Sequence, residues 1–201
     1  MKEPFAEFVK ENLGQNILLI TCGLPGTWKT ETSQEISKIK GYPILRTDLI
    51  RLEVLKNEDI FDPKVAGNMN KRAMVYDEMF NQAENLAKEK KGVILDATFV
   101  TKDLRRRAAE VASLNQIPFV ILETNCPEEV SYARILRRTK ENYESNALTK
   151  EAYLANKRKF EAIDLDDLKK RYPDLEIIHL TVDTKKDNPK DWYIIGQEIR
   201  K

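Results

Sequence analysis

Histidine and cysteine, the residues that supply most zinc sites, are nearly missing from this sequence. Its 201 residues include one histidine, His179, and two cysteines, Cys22 and Cys126, whose separation fits neither a CxxC pair nor a disulfide framework. A zinc site is therefore not expected. We interpret both cysteines, which follow predicted strands, as small apolar packing residues, and His179 as a hydrogen-bonded histidine within an apolar strand.

Long hydrophobic runs are also missing, and neither sign of charge dominates. No apolar run approaches the roughly 18 residues that a membrane span needs, and the first residues lack the apolar segment of a secretory signal. We therefore expect a cytoplasmic protein with no membrane segment. The 34 Lys and Arg residues nearly balance 33 Asp and Glu residues, for a net charge of +1. This balance does not indicate binding to nucleic acid, although a local basic groove is compatible with it.

Short β-branched runs alternate with long helical patterns, which indicates a parallel sheet covered by helices on both faces. The predicted strands are 17–22, 43–47, 93–96, 118–123 and 176–182, and three of them are continuously apolar, as buried parallel strands are. The predicted helices are 29–40, 48–56, 63–91, 102–115, 128–139 and 149–171. The helix 63–91 has a stripe at three- and four-residue spacing that is predicted to pack in the core: Met69, Ala73, Tyr76, Phe80, Ala83 and Ala87. We expect the tail, 187–201, to form a short closing helix that docks on the sheet. The whole chain, 1–201, is interpreted as one doubly wound domain.

The segment after the first predicted strand has the spacing of a phosphate-binding loop. The spacing is a glycine, four residues, a sixth position and then Lys-Thr. The segment lies between a predicted strand and a predicted helix, which is the context that such a loop needs. There the backbone amides curl around phosphates, the lysine reaches the β- and γ-phosphates, and the threonine hydroxyl binds Mg²⁺. The following helix adds its positive end. The predicted nucleotide-binding residues are Gly23, Leu24, Pro25, Gly26, Thr27, Trp28, Lys29 and Thr30.

Trp28 departs from this pattern, because glycine is expected before Lys29, where the backbone is crowded against phosphate. A bulky residue forced to positive φ costs about 1–3 kcal/mol. In one interpretation the indole points outward and stacks on the base or caps the site, so that the loop stays functional. In a second the loop is distorted and nucleotide affinity is weak or absent, and in a third Trp28 is an introduced mutation. We favour retained binding, because Gly23, Gly26, Lys29 and Thr30 are all present.

Two other predicted strands lead into an aspartate at the carboxyl edge of the sheet, where open α/β sheets bind ligands. Asp48, with Arg51 one helical turn later, is a candidate base for an attacking hydroxyl, and Arg51 would hold a polar or anionic group of the acceptor. The alternative is that Asp48 only caps a helix. Asp96 follows an apolar run, as in a Walker B strand, and is predicted to organise Mg²⁺ together with Thr30. Orienting Arg51 or the acceptor is an equally good role for Asp96, and Thr98 is a further candidate for substrate binding.

Three arginines at helical spacing, Arg134, Arg137 and Arg138, share one face just before the polar segment 140–146. Such a face can belong to a lid, at about residues 134–150, that folds cations over a triphosphate. In this interpretation Arg134 and Arg138 bind nucleotide and Arg138 also assists catalysis, while the alternative is a solvated basic face. The run 105–107 is spread around its helix and is more typical of a solvated face.

In their order along the chain, these motifs resemble the P-loop kinases of the AAA_33 or predicted-kinase group. The resemblance covers about residues 16–165 and rests on the loop at 23–30, Leu-Arg-Thr-Asp at 45–48, the segment 93–99, Cys-Pro at 126–127 and the arginines of 134–138. The group includes the kinase domain of polynucleotide 5′-hydroxyl kinases and, more distantly, zeta-toxin and chloramphenicol phosphotransferase types.

The resemblance implies a three-layer α/β/α P-loop NTPase fold, with a five-stranded parallel sheet of order 2-3-1-4-5 and a helical lid. It also implies ATP and Mg²⁺, with Asp48 as the general base, Arg51 on a phosphate of the acceptor, and Arg134 and Arg138 as lid arginines. We therefore predict an ATP-dependent kinase that phosphorylates a hydroxyl group of a small molecule or nucleic acid. The alternatives are a polynucleotide 5′-hydroxyl kinase specifically, and a non-catalytic nucleotide-binding protein. The sequence indicates neither the acceptor nor the oligomeric state.

Overall fold

A sheet flanked by helices makes up the computed structural model, which describes residues 2–89, 91–138 and 149–201. The strands are β1 (Glu3–Pro4), β2 (Leu18–Cys22), β3 (Ile44–Arg46), β4 (Val93–Asp96), β5 (Phe119–Asn125), β6 (Ile177–Asp183) and β7 (Tyr193–Arg200). The helices are α1 (Phe5–Asn12), α2 (Lys29–Lys40), α3 (Thr47–Val54), α4 (Pro63–Ala66), α5 (Met69–Lys88), α6 (Lys102–Leu114), α7 (Glu128–Leu136), α8 (Lys150–Lys159) and α9 (Leu165–Arg171). A 3₁₀ turn, Pro189–Asp191, precedes β7.

The order of the strands confirms the predicted P-loop topology, but the sheet in the described residues is seven-stranded and mixed rather than five-stranded and parallel, because β7 and β1 extend it in antiparallel pairings. The sheet runs β1-β7-β6-β5-β2-β4-β3, and the five predicted strands within it are parallel and lie in the order 2-3-1-4-5. Strand β2 is central, since it pairs with β4 on one side and β5 on the other. The carboxyl ends of β2, β3 and β4 therefore meet at one edge of the sheet, which is where ligands bind in open α/β folds.

Helices bury both faces of the sheet, and each face has its own apolar core. Leu18 and Ile20 of β2 pack in the cluster that contains Met79 of α5. Leu19, between them, packs with Ile36 of α2 in the other cluster. This two-sided burial explains why each central strand carries three or four consecutive apolar residues.

The tail of the chain differs from the predicted helix over 187–201. It forms the 3₁₀ turn and then β7, which pairs antiparallel with β6 and, at Tyr193 and Ile194, with β1. Aromatic and β-branched residues favour a strand there, and β7 covers an edge of β6 that would otherwise be open. Trp192 is still buried, edge-on to Phe5 with ring centroids 5.9 Å apart.

Two predicted helices are each divided in the structure. The predicted helix 63–91 becomes α4 and α5, and the Asn68 side chain caps α5 by accepting a hydrogen bond from Lys71 N. The predicted helix 149–171 becomes α8 and α9, and Asp164 caps α9 in the same way. Met69, expected in the core, is exposed at the first turn of α5. The predicted lid, at about 134–150, falls mainly on residues 139–148, outside the described residues.

The cysteines and the histidine take structural positions. Both cysteines are free, and Cys22 is buried within β2. His179 Nε2 lies 2.9 Å from Glu123 Oε2 on the neighbouring strand. Within the described ranges, no three His, Cys, Asp or Glu side chains are grouped so that they could hold a metal. No helix in those ranges combines the length and the apolar character that crossing a bilayer requires.

Candidate active site

A cleft of about 310 Å³ lies at the carboxyl edge of the sheet. The loop between β2 and α2, the start of α3, the end of β4 and parts of α5 and α8 border it. Chain segments far apart in sequence therefore meet around one space. Of the residues predicted from sequence, those that line the cleft are Pro25, Gly26, Trp28, Lys29, Thr30, Asp48, Arg51, Asp96, Thr98 and Arg138.

The loop between β2 and α2 has a backbone that can wrap around an anion. Gly23 and Gly26 have φ angles of 146° and 80°. A Cβ at Gly23 would lie 2.8 Å from Thr124 O, and one at Gly26 would lie 2.7 Å from Ser131 O, so both positions require glycine. The buried hydroxyl of Thr27 lies 2.7 Å from Thr124 Oγ1 and ties the loop to β5.

Lys29 is held inside this loop. Its Nζ donates a hydrogen bond to Leu24 O at 2.7 Å. Burial lowers the pKa of Lys29 to about 8, although the negative charge of Asp96 acts in the opposite direction. The ammonium group is therefore poorly solvated, and a negatively charged group arriving at the loop would stabilise it.

Thr30 and Asp96, which the sequence predicts to hold a metal, lie within hydrogen-bond distance of each other. Thr30 Oγ1 donates to Asp96 Oδ2 at 2.7 Å, and Thr21 Oγ1 donates to Asp96 Oδ1 at 3.2 Å. Burial raises the pKa of Asp96. A hydroxyl and a carboxylate beside a phosphate loop fit Mg²⁺, which is usually bound by one or two protein oxygens together with phosphate and water.

Asp48 and Arg51 face the cleft from α3. Arg51 Nη1 donates to Asp48 Oδ1 at 2.8 Å. The Arg51 side chain is 13% exposed and the Asp48 side chain is 22% exposed. Arg46 is the N-cap of α3 and makes no side-chain capping bond, so Asp48 lies within the helix rather than at its cap. The charge of Asp48 contributes to the raised pKa of Asp96, which places the two carboxylates near each other.

Several residues of α5 and α8 that line the cleft were missed by the sequence analysis. Tyr76 was interpreted only as a core residue, but it also lines the cleft, and Thr98 acts to lower the pKa of its hydroxyl. Arg72 precedes it by one helical turn, and this i,i+4 spacing is the signal that could have paired them. The missed residues of these two helices are Arg72, Tyr76, Ala152, Ala155, Asn156 and Lys159, and those missed elsewhere are Glu31, Thr47, Gly67 and Ala97.

The structure places Arg134 behind the loop, and this differs from its prediction as a lid residue that contacts nucleotide. Its guanidinium group donates to Gly26 O at 3.1 Å, Thr184 O at 2.7 Å and Lys185 O at 3.1 Å. The residue is 4% exposed, because its face of α7 packs against the segment after β6. Arg138 lines the cleft instead, and its positive charge contributes to the lowered pKa of Lys29.

Two other arginines that the sequence analysis considered for solvated faces, Arg137 and Arg105, differ in their exposure. Arg137 is solvated, with a side chain 72% exposed. Arg105, expected on a solvated face, is 1% exposed and donates to Phe99 O at 2.7 Å and Glu161 O at 2.8 Å. It therefore fixes the segment before α9 against the end of β4, because buried guanidinium groups require several acceptors.

Trp28 adopts the positive φ that its place in the loop predicts, with φ 60° and ψ 35°. Its Nε1 donates to Asp187 Oδ1 at 3.3 Å, and its ring lies over the guanidinium group of Arg134. The indole thus extends toward the segment after β6, while Gly26 and Lys29 still border the cleft.

The parallel sheet and the loop define this protein as a P-loop α/β protein. The family AAA_33, described as an AAA domain, matches residues 18–163, and the chain belongs to that family. A comparison with curated proteins finds no match.

Solved structures share the fold at low sequence identity. A sugar kinase from a Janibacter species has 14% identity and a TM-score of 0.61, with 88% of each chain covered. A gluconokinase from Sinorhizobium meliloti has 15% identity and a TM-score of 0.55, with 87% of this chain and 86% of that chain covered. The AvrRxo1-ORF1:-ORF2 complex with ATP has 14% identity and a TM-score of 0.61, with 96% of this chain and 61% of that chain covered. The fold is therefore that of P-loop kinases, and the kinship with polynucleotide 5′-hydroxyl kinases stays a prediction.

Proposed function

We propose that this protein is an ATP-dependent kinase that transfers the γ-phosphoryl group of ATP to a hydroxyl acceptor. The observation that carries the proposal is that a phosphate loop and a candidate base border the same cleft. Lys29 and Thr30 of the loop and Asp48 and Arg51 of α3 line this cleft together. A kinase needs this arrangement, because phosphoryl transfer depends mainly on positioning donor and acceptor and on neutralising charge.

The donor side is formed by the loop and its cations. Backbone amides of residues 23–30 and the positive end of α2 would bind the phosphates of ATP, with Lys29 and Arg138 as the cations beside them. Thr30 and Asp96 would hold Mg²⁺, which when bound neutralises charge on the phosphate oxygens. The ATP complex that shares this fold supports ATP as the donor.

The acceptor side is formed by Asp48 and Arg51. The acceptor hydroxyl would form a bond to the γ-phosphorus as the bond to the ADP oxygen breaks, and its proton would pass to the Asp48 carboxylate. Arg51, hydrogen-bonded to that carboxylate at 2.8 Å, would fix its orientation. A small molecule fits the cleft of about 310 Å³, and the neighbours described as a sugar kinase and a gluconokinase favour a polyhydroxy acceptor.

A non-catalytic nucleotide-binding protein is the second candidate, and the observation that favours it is Trp28. A bulky residue at φ 60° beside Lys29 can change how closely the γ-phosphate approaches the loop. A polynucleotide 5′-hydroxyl kinase is a narrower form of the first candidate and differs only in its acceptor.

Transfer of label from γ-labelled ATP to a panel of acceptors tests these candidates. The panel contains sugars, sugar acids, nucleosides and an oligonucleotide with a 5′-hydroxyl, each with the unmodified protein and with Asp48→Asn. We expect a labelled product with at least one acceptor and none with the variant. Labelling of the oligonucleotide alone would identify the polynucleotide kinase. Tight ATP binding with no labelled product anywhere in the panel would contradict the kinase proposal and favour the non-catalytic protein.

A further inference from the structure

Arg72 of α5 brings a positive charge to the acceptor side of the cleft. It lines the same cleft as Arg51 and Asp48 and is half-buried. Arg51 is neutralised by its ion pair with Asp48. Among residues 2–89, 91–138 and 149–201, by contrast, no carboxylate forms an ion pair with the guanidinium group of Arg72.

Arg72 and Tyr76 lie one helical turn apart on α5, and both line the cleft. Arg51 lines the cleft with them, and the positive charges of Arg72 and Arg51 both act to lower the pKa of the Tyr76 hydroxyl. Burial outweighs them and raises the pKa of Tyr76. The phenol therefore stays neutral and does not neutralise Arg72.

The donor site has its own cations, so Arg72 is not needed to bind the phosphates of ATP. Lys29 and Arg138 lie at the phosphate loop, where the phosphates of ATP would meet them. Asp48 and Arg51 form a neutral pair on the acceptor side. Within the described part of the chain, Arg72 thus has no acidic partner on that side, and the exposed Lys159 adds a second cation to the cleft lining. A half-buried cation with no partner is stabilised when an anion binds to it.

We propose that the acceptor is itself an anion and that Arg72 binds its carboxylate or phosphate group next to the Tyr76 hydroxyl. The proposal rests on the proposed function, because it places a hydroxyl of the same molecule against Asp48. Arginine suits this task, since its planar guanidinium group can bind two oxygens of a carboxylate or phosphate at once. Arg72 is therefore a specificity-determining residue that selects hydroxy acids or phosphorylated alcohols over neutral polyols.

The position of bound tungstate in crystals of the full chain tests this proposal without turnover. We expect two tungstate ions in the unmodified protein, one in the loop at 23–30 and one at Arg72. Arg72→Gln should lose only the second ion, whereas Arg158→Gln, at an exposed arginine outside the cleft, should keep both. Tungstate in the loop alone, or at the second position in Arg72→Gln, would overturn the proposal and leave the donor site intact. Tungstate at Arg72 but not in the loop would support the acceptor subsite and contradict the donor site.

Kinetics with matched acceptors provide the second readout. Each pair shares a hydroxyl framework and differs in one anionic group, as do sorbitol and gluconate, glycerol and glycerate, and thymidine and its 3′-phosphate. In every pair that is phosphorylated, we expect kcat/KM to be at least tenfold higher for the anion. Arg72→Gln should remove that preference mainly through KM, and Arg72→Lys should restore part of it. A preference for the neutral member, or an equal loss for both members in Arg72→Gln, would overturn the proposal, and Arg158→Gln should behave as the unmodified protein does.

Discussion

The Trp28 indole lies on the guanidinium group of Arg134, with Cζ 4.5 Å from the ring centroid. Asp187 accepts hydrogen bonds from both side chains, so the stack is anchored on the segment after β6. A partly buried cation–π contact contributes about 0.5–2 kcal/mol, which is comparable with the cost of about 1–3 kcal/mol for a bulky residue at positive φ. The stack therefore offsets much of the strain at position 28 and holds the indole against the segment after β6.

Small residues at position 28 should reveal this strain. Once the indole is removed, we expect Trp28→Gly to be more stable than Trp28→Ala by about 1 kcal/mol, and Trp28→Val to be less stable again, because only glycine adopts positive φ freely. Urea unfolding measures the order. At Asn81, exposed within α5, alanine should be more stable than glycine. If alanine were also more stable than glycine at position 28, the left-handed backbone at position 28 would be contradicted.

Arg134, in the last turn of α7, and Arg137, the C-cap residue of that helix, provide a matched pair of substitutions. Arg134→Met should cost about 2–4 kcal/mol of unfolding free energy, because it leaves Gly26 O and Thr184 O without their donor. Arg137→Met should change it by less than about 0.5 kcal/mol, since the Arg137 side chain is 72% exposed. Chemical denaturation of the two variants checks this, and equal losses would show that Arg134 does not support the loop.

Much of this fold follows from the sequence, because the pattern carries it directly. Continuous apolar strands separated by long helices indicate a parallel sheet, and the carboxyl ends of parallel strands share an edge, which is why Lys29, Asp48 and Asp96 come together. The strand β7 was missed because a short apolar run fits a helix or a strand equally well, and its partner β6 decides the outcome.

The orientation of helices could not be predicted from spacing. Arg134 and Arg138 share one face of the predicted helix 128–139, yet α7 ends at Leu136. Arg138 therefore follows the helix and lines the cleft, whereas Arg134 packs behind the loop. Tyr76 was missed as a cleft residue because it belongs to the stripe of α5 that was interpreted as core, and spacing alone does not show that Arg72, beside this stripe, faces the cleft. Which side of a helix meets a cleft depends on how the whole helix packs against the sheet.

Nucleotide binding should depend on the protonation of Lys29. Its pKa of about 8 in the free protein lies below the ordinary 10.5, and the protonated form is the one that binds phosphate. Affinity for ATP should therefore be constant below about pH 8 and fall, by up to about tenfold for each further pH unit, as the lysine loses its proton. Titrations between about pH 7 and 9.5 measure this. Lys29→Met should bind weakly with no such decline, and an affinity that is flat to about pH 9.5 would contradict the role of Lys29.

The same burial predicts that Lys29 lowers stability in the absence of nucleotide. Because the folded pKa is below the unfolded one, the charged form is disfavoured in the folded protein at pH 7, and this cost is relieved as pH rises from about 8 to 10.5. Lys29→Met should raise the free energy of unfolding at pH 7 by about 1 kcal/mol, after the lost hydrogen bond to Leu24 O is counted. Calorimetric melting measures it, and a lower melting temperature for Lys29→Met would be the contrary result.

Asp48 should affect transfer but not binding of the donor. Asp48→Asn removes the base while keeping the shape of the side chain, so kcat should fall by about 10²-fold or more. The dissociation constant for ATP should stay within about twofold, because Asp48 lies on the acceptor side of the cleft. Asp174→Asn, at an exposed position outside this cleft, is the matched control. A parallel loss of binding and transfer would place Asp48 in the donor site instead.

Titration of ATP with Mg²⁺ tests the whole account most directly, since every step needs a phosphate loop that works despite its tryptophan. The unmodified protein and Trp28→Gly should both bind, with dissociation constants within about tenfold of each other, and Lys29→Met should bind far more weakly. If neither the unmodified protein nor Trp28→Gly bound ATP detectably, the account would be contradicted.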